Sequence, residues 1–194
     1  MQKIIKNIFL ISLFFLLANC DQSTQSKIGS NNIVVIKVFS SLTCPHCADF
    51  HGAIYKKLED EYISVGRVKF EHIAFPLDLA ALNAEKILQC TSGTQKNLDF
   101  LTEMYKKQNQ WAAGSDIKVI NESIKKIGKK FNLTDNQMNK CLVDKNLEEK
   151  ILNERIEAQK NYKVKSTPTI YLNKKKYEGK RNYKSFKKEI DKLL

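Results

Sequence analysis

Apolar residues recur along this chain with three different periods, and each period predicts a different element. The run "IVVIKVFS" (Ile33 to Ser40) is nearly continuous and β-branched, which predicts a strand buried on both faces. Directly after it, "CADFHGAIYKKLEDEY" carries Phe50, Ile54 and Leu58 at helical spacing. Position 44 therefore lies where a strand turns into a helix. "VKFEHIAF" (Val68 to Phe75) reads as a second strand, closed by Pro76. From Leu77 to about Tyr162 the apolar positions fall three and four apart throughout, a long helical block. Within it Asp116 reads as a helix cap, and Thr134 with Gln137 as a capping box for the short helix that carries Cys141. The end of the chain changes period again. "TPTIYLNKKKYEG" alternates around a turn near Asn173 and Lys174, a β-hairpin, and "RNYKSFKKEIDKLL" is a final amphipathic helix. The order predicts an α/β fold, a mixed sheet flanked by helices with one helical insertion. Residues 32–76 and 163–194 form the sheet domain, and residues 77–162 the insertion.

The first 20 residues belong to neither part. Lys3 and Lys6 precede an uncharged apolar run, Ile8 to Ala18, that is shorter than the roughly 20 residues a bilayer span needs. That pattern fits a secretory signal. Its end, Leu17-Ala18-Asn19-Cys20, resembles a bacterial lipoprotein signal with Cys20 as the acylated residue. Asn19 departs from the small residue usual there, which leaves ordinary cleavage or an uncleaved anchor as alternatives. Residues 21–31, "DQSTQSKIGSN", are polar and small and read as a tether.

The formal charge of +12 raises nucleic-acid binding and then argues against it. All but three of the 33 cations are lysine, they mix with Glu and Asp along helices, and no aromatic interleaving supplies a stacking platform. The expectation is a solvated lysine surface with weak attraction to anionic lipid, and no nucleic-acid partner.

Export changes what the cysteines mean, because disulfides persist in an oxidising compartment. Setting Cys20 aside leaves Cys44, Cys47, Cys90 and Cys141, which allow three connectivities. "TCPHC" cannot anchor a c-type haem, since Ala48 rather than histidine follows Cys47. A zinc site needs a second pair of ligands, and Cys90 and Cys141 each stand alone, so no metal is expected. A purely structural bond across so short a loop would restrain the unfolded chain little. A reactive dithiol fits better. Cys44 stands at a helix N-terminus, where unpaired N–H groups and the dipole favour a thiolate. Pro45 at the first helical position gives up no needed N–H, and His46 can donate or carry charge towards Cys44. A stabilised thiolate also leaves readily, so the oxidised pair is easily reduced.

These motifs together resemble the DsbA family of thiol:disulfide oxidoreductases. "TCPHC" follows an apolar strand, "FPLD" (Phe75 to Asp78) closes the second strand, and "STPT" (Ser166 to Thr169) stands before the hairpin. The resemblance implies a thioredoxin fold with an inserted helical domain. It implies Cys44 as the solvent-facing, attacking thiol, Cys47 as the less exposed partner, and His46 as stabiliser of the Cys44 thiolate. Thr167 and a cis-Pro168 would pack beside the dithiol and leave the Thr167 backbone free for an extended peptide. Many relatives carry a glutamate six residues before the first cysteine; here that position is Val38, with Lys37 beside it, so the acid must be absent or supplied from elsewhere. Cys90 and Cys141 are expected to form a structural disulfide, as in some relatives, with redox tuning or free thiols as alternatives. Trp111 reads as packing, His51 as a surface or edge residue, and His72 as structural.

The activity implied is oxidation of reduced, unfolded exported proteins by a periplasmic monomer, soluble or anchored through Cys20, without a bound cofactor. A DsbB-like membrane quinone reductase would reoxidise it. An envelope isomerase or reductase, or a non-catalytic peptide- or metal-binding protein on the same fold, are the rival readings.

Overall fold

The computed structural model describes residues 32–194. The signal segment (1–20), the acylation site Cys20 and the tether (21–31) lie outside the described residues. Strand β1 (Val34–Ser40) pairs in parallel with β2 (Val68–Ala74). On its other side β1 pairs antiparallel with β3 (Thr169–Leu172), which turns into β4 (Lys175–Lys176). The sheet order is β2-β1-β3-β4. The hairpin turn puts Asn173 at φ 54°, a left-handed position that Asn tolerates. The Asn173 side chain accepts from the Val35 N–H at 2.9 Å and its own N–H donates to the Val35 carbonyl at 2.7 Å. The hairpin is thereby pinned to β1.

A parallel pair needs a crossover. Here it is one long helical run: α1 (Pro45–Phe50), a π turn (His51–Tyr55), α2 (Lys56–Leu58) and a second π turn (Glu59–Ile63). Six helices lie between β2 and β3: α3 (Leu79–Gln89), α4 (Thr94–Lys106), α5 (Gln108–Trp111), α6 (Ile117–Lys129), α7 (Asp135–Val143) and α8 (Lys145–Asn161). Helix α9 (Tyr183–Leu193) ends the chain. The caps follow from side-chain chemistry. Asp78, Asp116, Asp144 and Asn182 each accept a first-turn N–H, and Thr134 with Gln137 forms the complete capping box.

The core divides along the pleat of the sheet. Val34, Ile36 and Val38 share one face with Phe70, Ile170 and Leu172, and Phe50, Ile54, Leu58, Phe186 and Ile190 cover them. Phe39 points the other way, into a smaller cluster with Phe75, Ala158 and Val164. Burial of β1 on both faces, expected from its apolar run, holds only at its C-terminal end. Lys37 keeps its side chain 30% exposed because it pairs with Glu71 on the neighbouring strand at 3.3 Å. The fully buried end is the one that delivers the chain to Cys44.

Candidate active site

Ser40 ends β1 and a tight turn brings Cys44 to the N-cap of α1, where its N–H donates to the Ser41 carbonyl at 3.1 Å. The Cys44 carbonyl accepts from the N–H groups of Cys47 and Ala48, which starts the helix, and Pro45 occupies its first turn. Cys44 and Cys47 are free thiols. They differ in access: Cys44 is 7% exposed and Cys47 1%. Cys44 is thus less open than the solvent-facing thiol implied by the resemblance, because the loop before β3 leans over it. The Thr167–Pro168 peptide is cis, and the Thr167 carbonyl faces Cys44 Sγ at 3.5 Å. Among the described residues the Thr167 hydroxyl is buried without a hydrogen-bond partner, and it lies near the Cys47 sulfur.

Burial pushes the Cys47 thiol up to about 12, and negative charge on Cys44 adds to the shift. The Ser41 N–H and Thr167 hydroxyl oppose it, and burial wins. His46 takes a different direction from the one implied. Its ring is exposed and turned along the helix, with Nδ1 3.7 Å from the Asp49 carboxylate.

Several supporting residues come from the insertion and were not singled out in the sequence. Gln108 Nε2 donates to the carbonyls of Leu42 and Cys44, at 2.8 and 3.1 Å, and so fixes the loop between β1 and α1. The Tyr105 hydroxyl donates to the Ser41 carbonyl at 3.4 Å. The Thr43 hydroxyl donates to Asp78. Leu77 and Leu79 flank Asp78, about half exposed. Of these, Leu77 and Asp78 carried a signal as part of "FPLD", and Thr43 as part of "TCPHC".

His51 is not a surface residue. It is buried, its ring stacks on Tyr55 with centroids 4.1 Å apart, and Nε2 meets the Thr102 hydroxyl at 2.8 Å. The insertion covers the helix face that would otherwise meet solvent. Burial pushes its imidazole down to about 3, and the neighbouring His72 acts in the same direction. His72 bridges Ser40 Oγ and Glu85 Oε2, at 2.9 Å each. Cys90, at the C-cap of α3, is bonded to Cys141 of α7 with Cα atoms 6.3 Å apart.

Comparison with known proteins places this arrangement among relatives. The family model described as Thioredoxin matches residues 22–192. A putative protein-disulfide oxidoreductase of Rickettsia bellii is 27% identical over 143 residues, 74% of this chain and 54% of that protein. The disulfide bond formation protein D of Bacillus subtilis is 26% identical over 180 residues, 88% of this chain and 77% of that protein. Among solved structures, alpha-DsbA1 of Wolbachia pipientis superposes with a TM-score of 0.74 at 28% identity, covering 83% of this chain and 85% of that one. The chain spans about half the length of the Rickettsia relatives it matches.

Proposed function

This chain belongs to the thioredoxin family and is of the DsbA kind within it, and from that premise we propose that it is a thiol:disulfide oxidoreductase that oxidises reduced, unfolded exported proteins. The observation that carries the reading is the placement of two unequal thiols against the Thr167–Pro168 loop. A client thiolate attacks Cys44 of the oxidised pair, because Cys47 is sealed beneath it. The electron pair of the broken bond goes to Cys47. A second client thiolate then attacks the client sulfur of the mixed disulfide and releases Cys44 as the leaving group. The exposed leucines beside Thr43 offer apolar surface to an unfolded chain. The sulfur atoms carry the electrons, so the exchange needs no bound cofactor. The enzyme works as a monomer in the periplasm, anchored through Cys20 or released from the membrane, and a DsbB-like quinone reductase restores the disulfide.

The test is oxidative refolding of a reduced, unfolded substrate protein. The oxidised enzyme is expected to restore substrate activity, and Cys44→Ser to abolish it; activity that survives this substitution overturns the reading. The reduction potential of the Cys44–Cys47 pair decides the direction of exchange. A value near the roughly −120 mV of DsbA supports an oxidase, and one near the roughly −270 mV of thioredoxin makes the protein a reductant.

A further inference from the structure

The turn between β4 and α9 reaches back to the loop that covers Cys44, and its backbone is held on both sides. The Tyr177 hydroxyl donates to the Lys180 carbonyl at 2.7 Å, and the Asn182 N–H donates to the same oxygen at 2.9 Å. A Cβ at Gly179 would lie 2.6 Å from the Tyr177 hydroxyl, so only glycine lets the turn close this tightly. The Asn182 side chain then caps α9 by accepting the Ser185 N–H at 2.9 Å. Arg181 stands within this fixed turn, and its guanidinium donates to the Pro168 carbonyl at 3.3 Å. The preceding carbonyl, that of Thr167, faces Cys44 Sγ at 3.5 Å. Standard bond lengths between the two carbonyls put the guanidinium within about 12 Å of the sulfur.

The charge of Arg181 is uncommitted. The residue is exposed, most of its N–H donors are free, and no carboxylate lies within ion-pair distance of it among the described residues. The neighbouring acid, Glu178, is engaged with Lys176 at 3.8 Å. Lys165, two residues before Thr167, is exposed and likewise without an ion-pair partner among the described residues. The acids around Cys44 are in the opposite condition. Asp78 accepts from the Thr43 hydroxyl and the Ala81 N–H, and Asp49 lies 3.7 Å from His46. Unpaired charge beside the Thr167–Pro168 segment is therefore positive. A guanidinium recognises a carboxylate by shape as well as charge, because its planar fork presents parallel N–H groups. The bond to Pro168 also removes part of the side-chain freedom that a loose surface arginine loses on binding.

We propose that Arg181, with Lys165 adding to the local charge, is a specificity-determining residue that selects clients with Asp or Glu close to the reacting cysteine. An extended client advances about 3.3 Å per residue. A carboxylate two or three positions from a cysteine seated on Cys44 thus comes within reach of the guanidinium, and a lysine there meets like charge. The carboxylate takes no part in the electron transfer. The client thiolate bonds to Cys44 Sγ, and the electron pair of the Cys44–Cys47 bond moves to Cys47 Sγ. The second client thiolate then closes the client disulfide and releases Cys44, so that two electrons and two protons pass from the client dithiol to the enzyme. The inference rests on the oxidoreductase reading above and names a client class for it.

Its test uses the oxidised enzyme and three synthetic dithiol peptides. They differ only in the residues two positions either side of the first cysteine, which are Glu, Gln or Lys. Rates of peptide oxidation at low salt are measured by acid quench and chromatography, for the wild type and for Arg181→Gln, whose amide can keep a bond to Pro168. The wild-type rate is divided by the variant rate for each peptide. The division cancels the ionisation of the peptide thiol and any general effect of position 181 on the Pro168 loop or on Cys44. The quotient for the Glu peptide is expected to exceed that for the Gln peptide about threefold, the scale of an exposed ion pair. The quotient for the Lys peptide is expected to fall below that for the Gln peptide. Equal quotients for the three peptides, or the reverse order, overturn the assignment of Arg181. A wild type that oxidises none of the peptides overturns the oxidoreductase reading and the inference with it.

Discussion

Thr43 and Asp78 tie the entrance of the active site to the start of the insertion: the Thr43 hydroxyl donates to Asp78 Oδ2 at 2.7 Å. The other oxygen of the same carboxylate accepts the Ala81 N–H at 2.7 Å and caps α3. One side chain therefore fixes both the helix that ends at Cys90 and the residue before Cys44. Asp78→Ala is expected to lower stability by about 1–2 kcal/mol, the cost of a lost cap plus an exposed hydrogen bond. Thr43→Val removes only the tie and is expected to cost less than about 1 kcal/mol. Urea unfolding of the two variants separates the contributions.

Gln108 holds two buried carbonyls in the loop that presents Cys44. Gln108→Leu keeps the volume and leaves the Leu42 carbonyl without a donor, at about 1–3 kcal/mol for that buried group, while the Cys44 carbonyl keeps the N–H groups of Cys47 and Ala48. Denaturant unfolding should show that loss. The rate of thiol exchange should fall as well, since the loop loses its anchor, and stopped-flow reduction of the oxidised enzyme measures it.

His51 makes stability depend on pH in a window remote from the sulfurs. Its imidazole is held at about 3 in the fold, against an ordinary value of 6.5. Between those limits the unfolded chain binds a proton that the native chain refuses. Stability is complete above the unfolded value and declines as pH falls, by about 1.4 kcal/mol for each pH unit at most. His51→Phe is expected to flatten the profile between about pH 6 and pH 4 relative to wild type. Midpoints of thermal unfolding across that range provide the check.

The Cys90–Cys141 bond closes a separation of 51 residues. Loop-closure entropy gives it about 4 kcal/mol at most. The double substitution Cys90→Ala/Cys141→Ala is expected to lower the unfolding free energy towards that limit. Thiol titration of the reduced, denatured chain should then find Cys44 and Cys47 still present and should lose the other two.

The succession of strands and helices was legible because each element carries its own period and its own caps, as Asp116 and Thr134 show. The sulfur pair was legible because its chemistry is written in four consecutive residues. What surrounds the sulfurs was not. Tyr105 and Gln108 reach the site from the helical insertion, more than 60 positions from the residues they serve, and nothing in their local sequence marks them. His51 was misread for the same reason, since a helical histidine looks exposed until another helix covers it. Lys37 shows the converse. An apolar run predicts a strand but does not say where a cross-strand ion pair opens one face.

The reluctance of Cys47 to ionise has a consequence for timing. Burial, the larger cause of that reluctance, persists when Cys44 is bonded to a client, and it disfavours the nucleophilic thiolate of Cys47 at neutral pH. Once a client is captured, the neighbour that could eject it is silenced. Under the proposed oxidase reading, the captured chain then keeps its grip long enough for its own distant cysteine to arrive, so patience in the trapped complex, rather than speed of capture, selects which partner finishes the bond.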